Sequence, residues 1–298
     1  MINKTIAIAI LARDCNEALK RNIKEVEILR SYFKYSTVIV VENDSIDGTK
    51  ETLYKWKETE ENVILLINDT KEDTIPQKTN SCPFPPASLY RIEKMANFRN
   101  IYLDYIKSNN IEIDYLIVID IDVKQFNATD IINAINNAPN DWGGLFAYGQ
   151  TTFHGIMPYM YDLFAYIPKE CFHEYARKTH EIFISGQTAT KSLKSTTYLE
   201  CISAFGGIGI YKWEIIKNSH YKALPNTRSN IYEAVCEHIP INLKTIEMGY
   251  KNYICKKLKV VYGKRSIEHI IINSILPYPF YSWLYRKIKN KPFEEYDK

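Results

Sequence analysis

Two aspartates at the end of an apolar run are the residues in this chain best suited to chemistry. Residues 115–123 read Tyr-Leu-Ile-Val-Ile-Asp-Ile-Asp-Val, so aliphatic residues give way abruptly to Asp120 and Asp122. The run is apolar on both parities, as in a central strand covered on both faces. Buried carboxylates are costly unless a cation pairs with them. At i and i+2 both side chains aim toward one face. There they can hold Mn2+ or Mg2+, hard cations that take oxygen ligands and bridge to phosphates. The alternative source of an Asp-x-Asp pair is a strand end turning into solvent. A second segment favours the site. Residues 37–49 read Thr-Val-Ile-Val-Val-Glu-Asn-Asp-Ser-Ile-Asp-Gly-Thr, again an apolar strand ending in a polar cluster of Glu42, Asn43, Asp44, Ser45 and Asp47. Such a cluster can accept from a base N–H and a ribose hydroxyl. Residues 45–49 also read as a tight turn, with Asp47 or Thr49 capping the next helix.

The elements that must position these groups alternate. Residues 6–11 are expected as a strand, 17–33 as a helix with Leu19, Ile23, Val26 and Leu29 on its apolar face, 38–41 as a strand, 50–57 as a helix and 63–67 as a strand. This is the βα pattern of a mainly parallel, doubly wound sheet, whose ligands bind at the carboxyl ends of the strands. Residues 69–88 carry Pro76, Pro83, Pro85 and Pro86 and read as a loop, either a linker or a lid. A helix over 89–108, a strand over 115–119 and a helix over 128–138 follow. The second half is less regular. Strands are expected over 143–148, 162–167 and 252–261, and a strand-turn over 203–211. Helices are expected from 170 and over 231–248, the latter kinked or divided by Pro240.

Composition narrows the class. At 298 residues with 46% hydrophobic content, the chain is one large or two closely fused domains with a real core. A net charge of +3 is too slight for a nucleic-acid binder. The six cysteines are dispersed with no Cys-x-x-Cys pair, so free thiols in a cytoplasmic protein are expected rather than a zinc site. Residues 264–298 form a tail in which aromatic and apolar residues adjoin a basic cluster. That pattern suits either core packing or peripheral contact with a membrane.

Five segments in order resemble one family. Glu-Asn-Asp-Ser-Ile-Asp-Gly-Thr at 42–49 resembles the Asp-Asp-Gly-Ser-x-Asp-x-Thr turn of GT-A-fold glycosyltransferases of the family 2 type, and Asp120-Ile121-Asp122 resembles their Asp-x-Asp motif. Residues 91–106 resemble the helix with an Ala-x-x-Arg-Asn core that precedes the metal strand. Residues 203–211 are similar to the Gly-rich sugar-pocket segment, and Cys236-Glu237-His238 stands where the family often has a Glu-Asp acceptor motif. The wording of these motifs also resembles the fungal capsule mannosyltransferase-type branch. The resemblance covers residues 5–263. It implies a Rossmann-like α/β GT-A domain with a nucleotide-binding half, 1–125, and an irregular acceptor half, 126–263. Glu42-Asn43 replaces the usual Asp-Asp, which leaves the nucleobase open between UDP- and GDP-linked donors.

The implied activity is metal-dependent transfer of a sugar from a nucleotide-sugar donor to a glycan or lipid-linked acceptor, as in surface polysaccharide or glycoconjugate synthesis. Asp120 and Asp122 would hold the metal that neutralises the diphosphate, with His238 as a third ligand, a phosphate contact or a structural residue. Ala12, Arg13, Glu42, Asn43, Asp44, Arg91, Arg99, Asp120 and Ile121 would contact the nucleotide sugar. Asp14 and Asn16 stand at the same rim or cap the first helix. Gly206 and Gly207 would let backbone approach a sugar, or make a tight turn. Glu237 is the expected general base of an inverting transfer, or a helix N-terminal charge. The family 2-like turn favours inversion, and the mannosyltransferase resemblance allows retention. A sugar nucleotidyltransferase would carry Gly-x-Gly-Thr-Arg after the first strand, where this chain has Ala12-Arg13-Asp14-Cys15. A carbohydrate-binding or scaffold protein on the same fold is the non-catalytic alternative, and keeping both aspartates argues against it.

Overall fold

The computed structural model describes residues 2–153, 157–171, 175–229 and 231–262, with Trp283 and Lys287 beyond them. The tail expected over 264–298 thus lies outside the described residues, apart from those two.

The first half alternates as its periodicity dictates. It runs β1 (Ile2–Ala12), α1 (Asn16–Ser31), β2 (Phe33–Glu42), α2 (Thr49–Thr59), β3 (Val63–Ile67), α3 (Leu89–Ser108), β4 (Tyr115–Asp120) and α4 (Ala128–Asn136). The first helix stops two residues short of its expected end because Phe33 belongs to β2, where it is buried. Ser88 starts α3 by accepting from the Arg91 N–H at 3.2 Å. The second half contains β5 (Trp142–Phe153), β6 (Met157–Met160), β7 (Ile167–Pro168), α5 (Thr179–Ser192), β8 (Tyr198–Ser203), β9 (Ile208–Lys212), α6 (Trp213–Ile216), β10 (Leu224–Pro225), β11 (Ala234–Val235), α7 (His238–Glu247) and β12 (Lys251–Val261).

One sheet organises the chain, in the order β3-β2-β1-β4-β9-β5-β12-β8-β7, with β6 on β5. Strands β3, β2, β1 and β4 are mutually parallel. Strand β9 is inserted antiparallel between β4 and β5, and β12 runs parallel to β5. The sheet is therefore mixed in its second half, and it continues across the expected boundary at residue 125. In β1, Ile6, Ile8 and Ile10 face one core, with α1, α2 and α4 residues, while Ala7 and Ala9 face the other, with α3 residues. In β4, Ile117 and Ile119 divide from Leu116 and Val118 in the same way. Apolar residues on both parities are what such double burial requires.

Three expectations for the second half are corrected. Residues 162–166 form no strand. Asp162 has a left-handed backbone (φ 64°) and opens a turn, and pairing begins only at Ile167. The helix expected from 170 starts at Thr179. The helix expected over 231–248 starts at His238 and is not divided by Pro240, which sits in its first turn, where an N–H has no intrahelical partner to lose.

The turn between β8 and β9 depends on its glycines. Gly206 has φ +62°, and a Cβ there would lie 2.3 Å from the Ala147 carbonyl oxygen. Gly206→Ala is expected to lower stability by about 2 kcal/mol or more, from left-handed strain and a backbone clash that cannot relax separately. Urea unfolding checks this, and a midpoint equal to wild type would contradict it.

Candidate active site

The end of β4 is held by its neighbours' backbones. Asp120 donates its N–H to the Gly207 carbonyl at 2.9 Å. The loop beyond it is clamped from α1: the buried Asn22 Nδ2 donates to the Ile121 and Val123 carbonyls at 2.8 and 2.7 Å, and Arg21 donates to Val123 at 3.0 Å. Ile121 itself points into the core. With the backbone fixed this way, Asp120 and Asp122 line a cavity of about 620 Å3, within the ordinary range of small-molecule sites. Burial pushes Asp120 up to about 6, with Arg99 opposing the shift and Asp122 adding to it. Asp122 is raised as well, by burial of the part of its carboxyl turned into the cavity, although the residue as a whole is exposed.

The β1 exit forms one wall of the cavity, through Ala12, Arg13, Asp14 and Cys15, and Asn43 joins them from β2's end. Asp73, Thr74 and Ile75 of the proline-rich loop form part of the rim. That loop is tied down: Arg13 donates to Thr74 Oγ1, Lys94 pairs with Glu72 at 2.7 Å, and Lys50 pairs with Asp69 at 2.6 Å. Glu42 and Asp44 stay out of the cavity lining. Glu42 is fully buried under the turn, accepts from the Ser45 N–H at 2.8 Å and lies 3.6 Å from Lys50. Asp44 accepts from the Lys71 N–H at 2.8 Å and from Thr70. Asp47 serves two helix starts, accepting from the Asn16 N–H and the Thr49 N–H at 3.0 Å each. The motif turn thus does mostly scaffolding, with Asn43 as its cavity residue.

The opposite wall comes from α3 and the start of α7. Arg99 is buried. Its Nε donates to Glu237 Oε1 at 3.0 Å, and its Nη2 lies 3.6 Å from Asp120 Oδ1. Burial works against its charge, but the fields of Tyr102, Glu237 and Asp120 hold its pKa well above the ordinary value. Glu237 Oε2 also accepts from Cys236 Sγ at 3.5 Å. His238 is 1% exposed and stacks on Phe205, with ring centroids 3.9 Å apart. Burial, and then Arg99, hold its pKa far below normal, so the ring is neutral. Arg91 lines the cavity too, while Lys94 is spent on the loop.

Several cavity residues carried no usable sequence signal. Asp162 accepts from the Gly206 N–H at 3.1 Å, and burial pushes it up to about 7, the fields of Asp120 and Glu237 adding to the shift. Its segment reads as a strand in sequence, which hides the turn. That turn is fastened by the buried Arg177, which donates to the Leu163 and Tyr166 carbonyls. Tyr262 donates to Asp120 Oδ2 at 3.1 Å and stacks on Tyr161. It is positioned by β12, whose Val261 carbonyl accepts from the Lys124 N–H. Gly206 and Gly207 do not line the cavity. A Cβ on Gly207 would lie 2.5 Å from the Tyr262 hydroxyl, so these glycines admit the turn and Tyr262 rather than exposing backbone to a ligand.

The chemistry of the donor set fits a divalent cation. Asp120 and Asp122 share the cavity, and burial leaves both short of positive charge, with Arg99 divided between Asp120 and Glu237. Among the described residues, no three His, Cys, Asp or Glu side chains form a metal-sized group, so His238 does not complete one with the two aspartates. Around the same cavity, Arg91 Nε, Arg99 Nη1 and both ring nitrogens of His238 are buried without hydrogen-bond partners. Each such group costs roughly 1–3 kcal/mol until something bonds to it, so the wall is built for an oxygen-rich ligand.

The family model described as cryptococcal mannosyltransferase 1 matches residues 5–241. The solved mannosyltransferase PcManGT from Pyrobaculum calidifontis, in complex with GDP-Man and Mn2+, aligns with a TM-score of 0.50 at 13% identity, over 92% of this chain and 61% of that one. The present chain thus spans less than two thirds of that protein's length. TarS 1–349 from S. aureus aligns with a TM-score of 0.45 at 11% identity, over 96% and 71% of the two chains. Glucosyl-3-phosphoglycerate synthase from Mycobacterium tuberculosis, in complex with uridine diphosphate, gives 0.40 at 11%, over 88% and 72%. No curated protein matches the sequence. At these identities the structural likeness concerns the fold, which is of the GT-A type.

Proposed function

The chain belongs to the cryptococcal mannosyltransferase 1 family, a group of nucleotide-sugar glycosyltransferases, and on that premise we propose that it moves a mannosyl group from GDP-mannose to a hydroxyl of a glycan or lipid-linked acceptor. The observation that carries this reading is the pair Asp120 and Asp122 at the end of a doubly buried strand, in a cavity whose far wall offers unpartnered nitrogens. GDP-mannose is preferred to a UDP-linked donor because the family is one of mannosyltransferases and PcManGT holds GDP-Man.

In this reading residues 1–125 supply the nucleotide half and 126–263 the acceptor half. Ala12, Arg13 and Asn43 line the nucleoside side. Asp120 and Asp122 would hold Mn2+ or Mg2+, hard cations suited to carboxylate oxygens. When bound, the metal neutralises the charge that develops on the diphosphate leaving group. Arg99 supplies a fixed positive charge beside Asp120, and Arg91 a second on the cavity wall. Glu237, fixed by Arg99, is the carboxylate that takes the acceptor proton. Residues 73–75 form a rim that excludes water over the bound donor.

A thermal-shift panel of GDP, UDP, GDP-mannose, UDP-glucose and UDP-N-acetylglucosamine, each with and without Mn2+, tests the reading. Mn2+-dependent stabilisation by GDP and GDP-mannose is expected. Stabilisation by the uridine nucleotides alone would overturn the donor assignment, and no response to any nucleotide would overturn the transferase reading. No helix among the described residues is long and apolar enough to cross a membrane. For a lipid-linked acceptor, the basic and aromatic stretch of 264–298 is the proposed contact with the membrane surface.

A further inference from the structure

His238 is the residue of the cavity wall whose chemistry the preceding reading does not use. It is the first residue of α7, 1% exposed, and it lines the same cavity as Asp120. Neither ring nitrogen has a hydrogen-bond partner, and Glu237 Oε1 lies 3.8 Å from Nε2. The ring is nonetheless fixed. Phe205 stacks on it at 3.9 Å with an interplanar angle of 17°, and Tyr221 meets it edge-on at 5.4 Å. A buried imidazole oriented by aromatic rings alone is preorganised for a partner that is not part of the protein.

Resting on the GDP-mannose reading above, we propose that His238 reads a hydroxyl of the donor's mannosyl group. Three kinds of partner could satisfy the ring, and the surroundings choose among them. A metal would need further ligands, and His238 belongs to no three-ligand group among the described residues. A phosphate oxygen only accepts, so it can pair with the N–H of this neutral ring but not with its other nitrogen. A neutral imidazole carries one donor and one acceptor. A hydroxyl both donates and accepts, so it satisfies whichever nitrogen faces the cavity. The route from the metal side is short: Asp120 Oδ1 to Arg99 Nη2 is 3.6 Å, Arg99 Nε to Glu237 Oε1 is 3.0 Å, and Glu237 Oε1 to His238 Nε2 is 3.8 Å. Asp120 and His238 thus stand at the two ends of one continuous chain of contacts and line one cavity. Phe205, which also lines the cavity, offers an apolar face beside that hydroxyl. A site built to hydrogen-bond a substrate hydroxyl discriminates strongly against the analogue that lacks it, because its own buried group is then left unpaired.

The test compares GDP-mannose with GDP by calorimetry in the presence of Mn2+, for wild type and for His238→Phe, which keeps an aromatic ring but has no nitrogen. The expected result is that GDP-mannose binding weakens about tenfold or more in the variant while GDP and Mn2+ binding stay the same. An unchanged ratio of GDP-mannose to GDP affinity overturns the proposal. An equal loss for GDP and GDP-mannose, or a loss of Mn2+ binding, also overturns it and assigns His238 to the phosphates or the metal. Wild-type protein titrated with the set of monodeoxy GDP-mannoses decides the matter should the variant not fold. One hydroxyl whose removal costs about tenfold or more supports the proposal, and a flat series overturns it. Failure of the donor reading itself gives a different signature, namely wild-type protein that binds neither GDP nor GDP-mannose.

Discussion

Asp122→Ala is expected to abolish the Mn2+-dependent part of GDP-mannose binding while leaving the fold intact. The fold survives because the loop carrying Asp122 is held through its backbone, by Asn22 and Arg21 on the carbonyls of Ile121 and Val123. The loss should be at least about 100-fold, because even residues that only support metal ligands cost 10–100-fold when removed. The pH dependence carries a second signature. Protons compete with metal for the same carboxylates. With Asp120 pushed up to about 6, first by burial and then by Asp122 against the pull of Arg99, wild-type Mn2+ affinity should be level above about pH 7 and fall as pH drops through 6. Removing Asp122 removes one cause of that shift, so any residual affinity in the variant should fall at lower pH. For metal-free stability the sign is the reverse of an ordinary salt-bridged aspartate. The folded state binds the Asp120 proton more tightly than the unfolded chain does, so this group's contribution falls as pH rises from about 4 to about 6. Calorimetric titration of Mn2+ and GDP-mannose from about pH 5 to 8 checks the affinity statement, and metal-free urea unfolding from about pH 4 to 6 checks the stability one. Equal Mn2+-dependent affinity in mutant and wild type would sink the metal assignment.

The strands that carry the site were readable because double burial writes itself into sequence. Residues 115–119 and 38–41 are apolar on both parities and end in polar clusters, and both turned out to be central strands ending near the cavity. The helix over 89–108 matched its expected bounds because Ser88 caps it and Ile92, Ala96, Leu103 and Ile106 recur at helical spacing on its buried side. The polar turn after β2 was harder to read, because carboxylates that cap helices look the same as carboxylates that bind ligands. Glu42, Asp44 and Asp47 are held by Lys50, Lys71, Asn16 and Thr49, and Asn43 alone of that turn lines the cavity. The acceptor side was least legible, since its geometry depends on contacts between distant segments. Asp162 is brought in by a left-handed turn whose carbonyls Arg177 fastens, and Tyr262 is brought to Asp120 by the last described strand. No local pattern encodes either placement.

Glu237→Gln should reduce kcat by about 10²–10⁴-fold, the usual worth of a positioned base, with little change in donor affinity. The variant keeps the shape of the side chain, and its amide oxygen can still accept from Arg99 Nε, which lies 3.0 Å from the carboxylate in the native protein. Glu237 has a second role that must be separated from catalysis, because it is also the closest counter-charge of a buried arginine. Without it, Asp120, at 3.6 Å, is the carboxylate left beside Arg99 among the described residues, and removing one partner of a buried pair is strongly destabilising. The single substitution alone therefore cannot tell a lost base from a disturbed arginine. Comparison with Arg99→Lys can, because that variant disturbs the guanidinium and its contact with Asp120 while keeping the carboxylate. If Glu237 is the base, kcat falls far more in Glu237→Gln than in Arg99→Lys. If Glu237 only anchors Arg99, the two variants lose turnover alike. The anomeric configuration of the product, read by NMR, completes the argument. A base is required for inversion, because the attacking hydroxyl must lose its proton on the face opposite the diphosphate. In a retaining transfer the departing phosphate can accept that proton. An inverted product formed at the wild-type rate by Glu237→Gln would remove Glu237 from the chemistry. The cavity would then leave Asp162, whose carboxylate is pushed up to about 7, as the acceptor-side group placed to do that work.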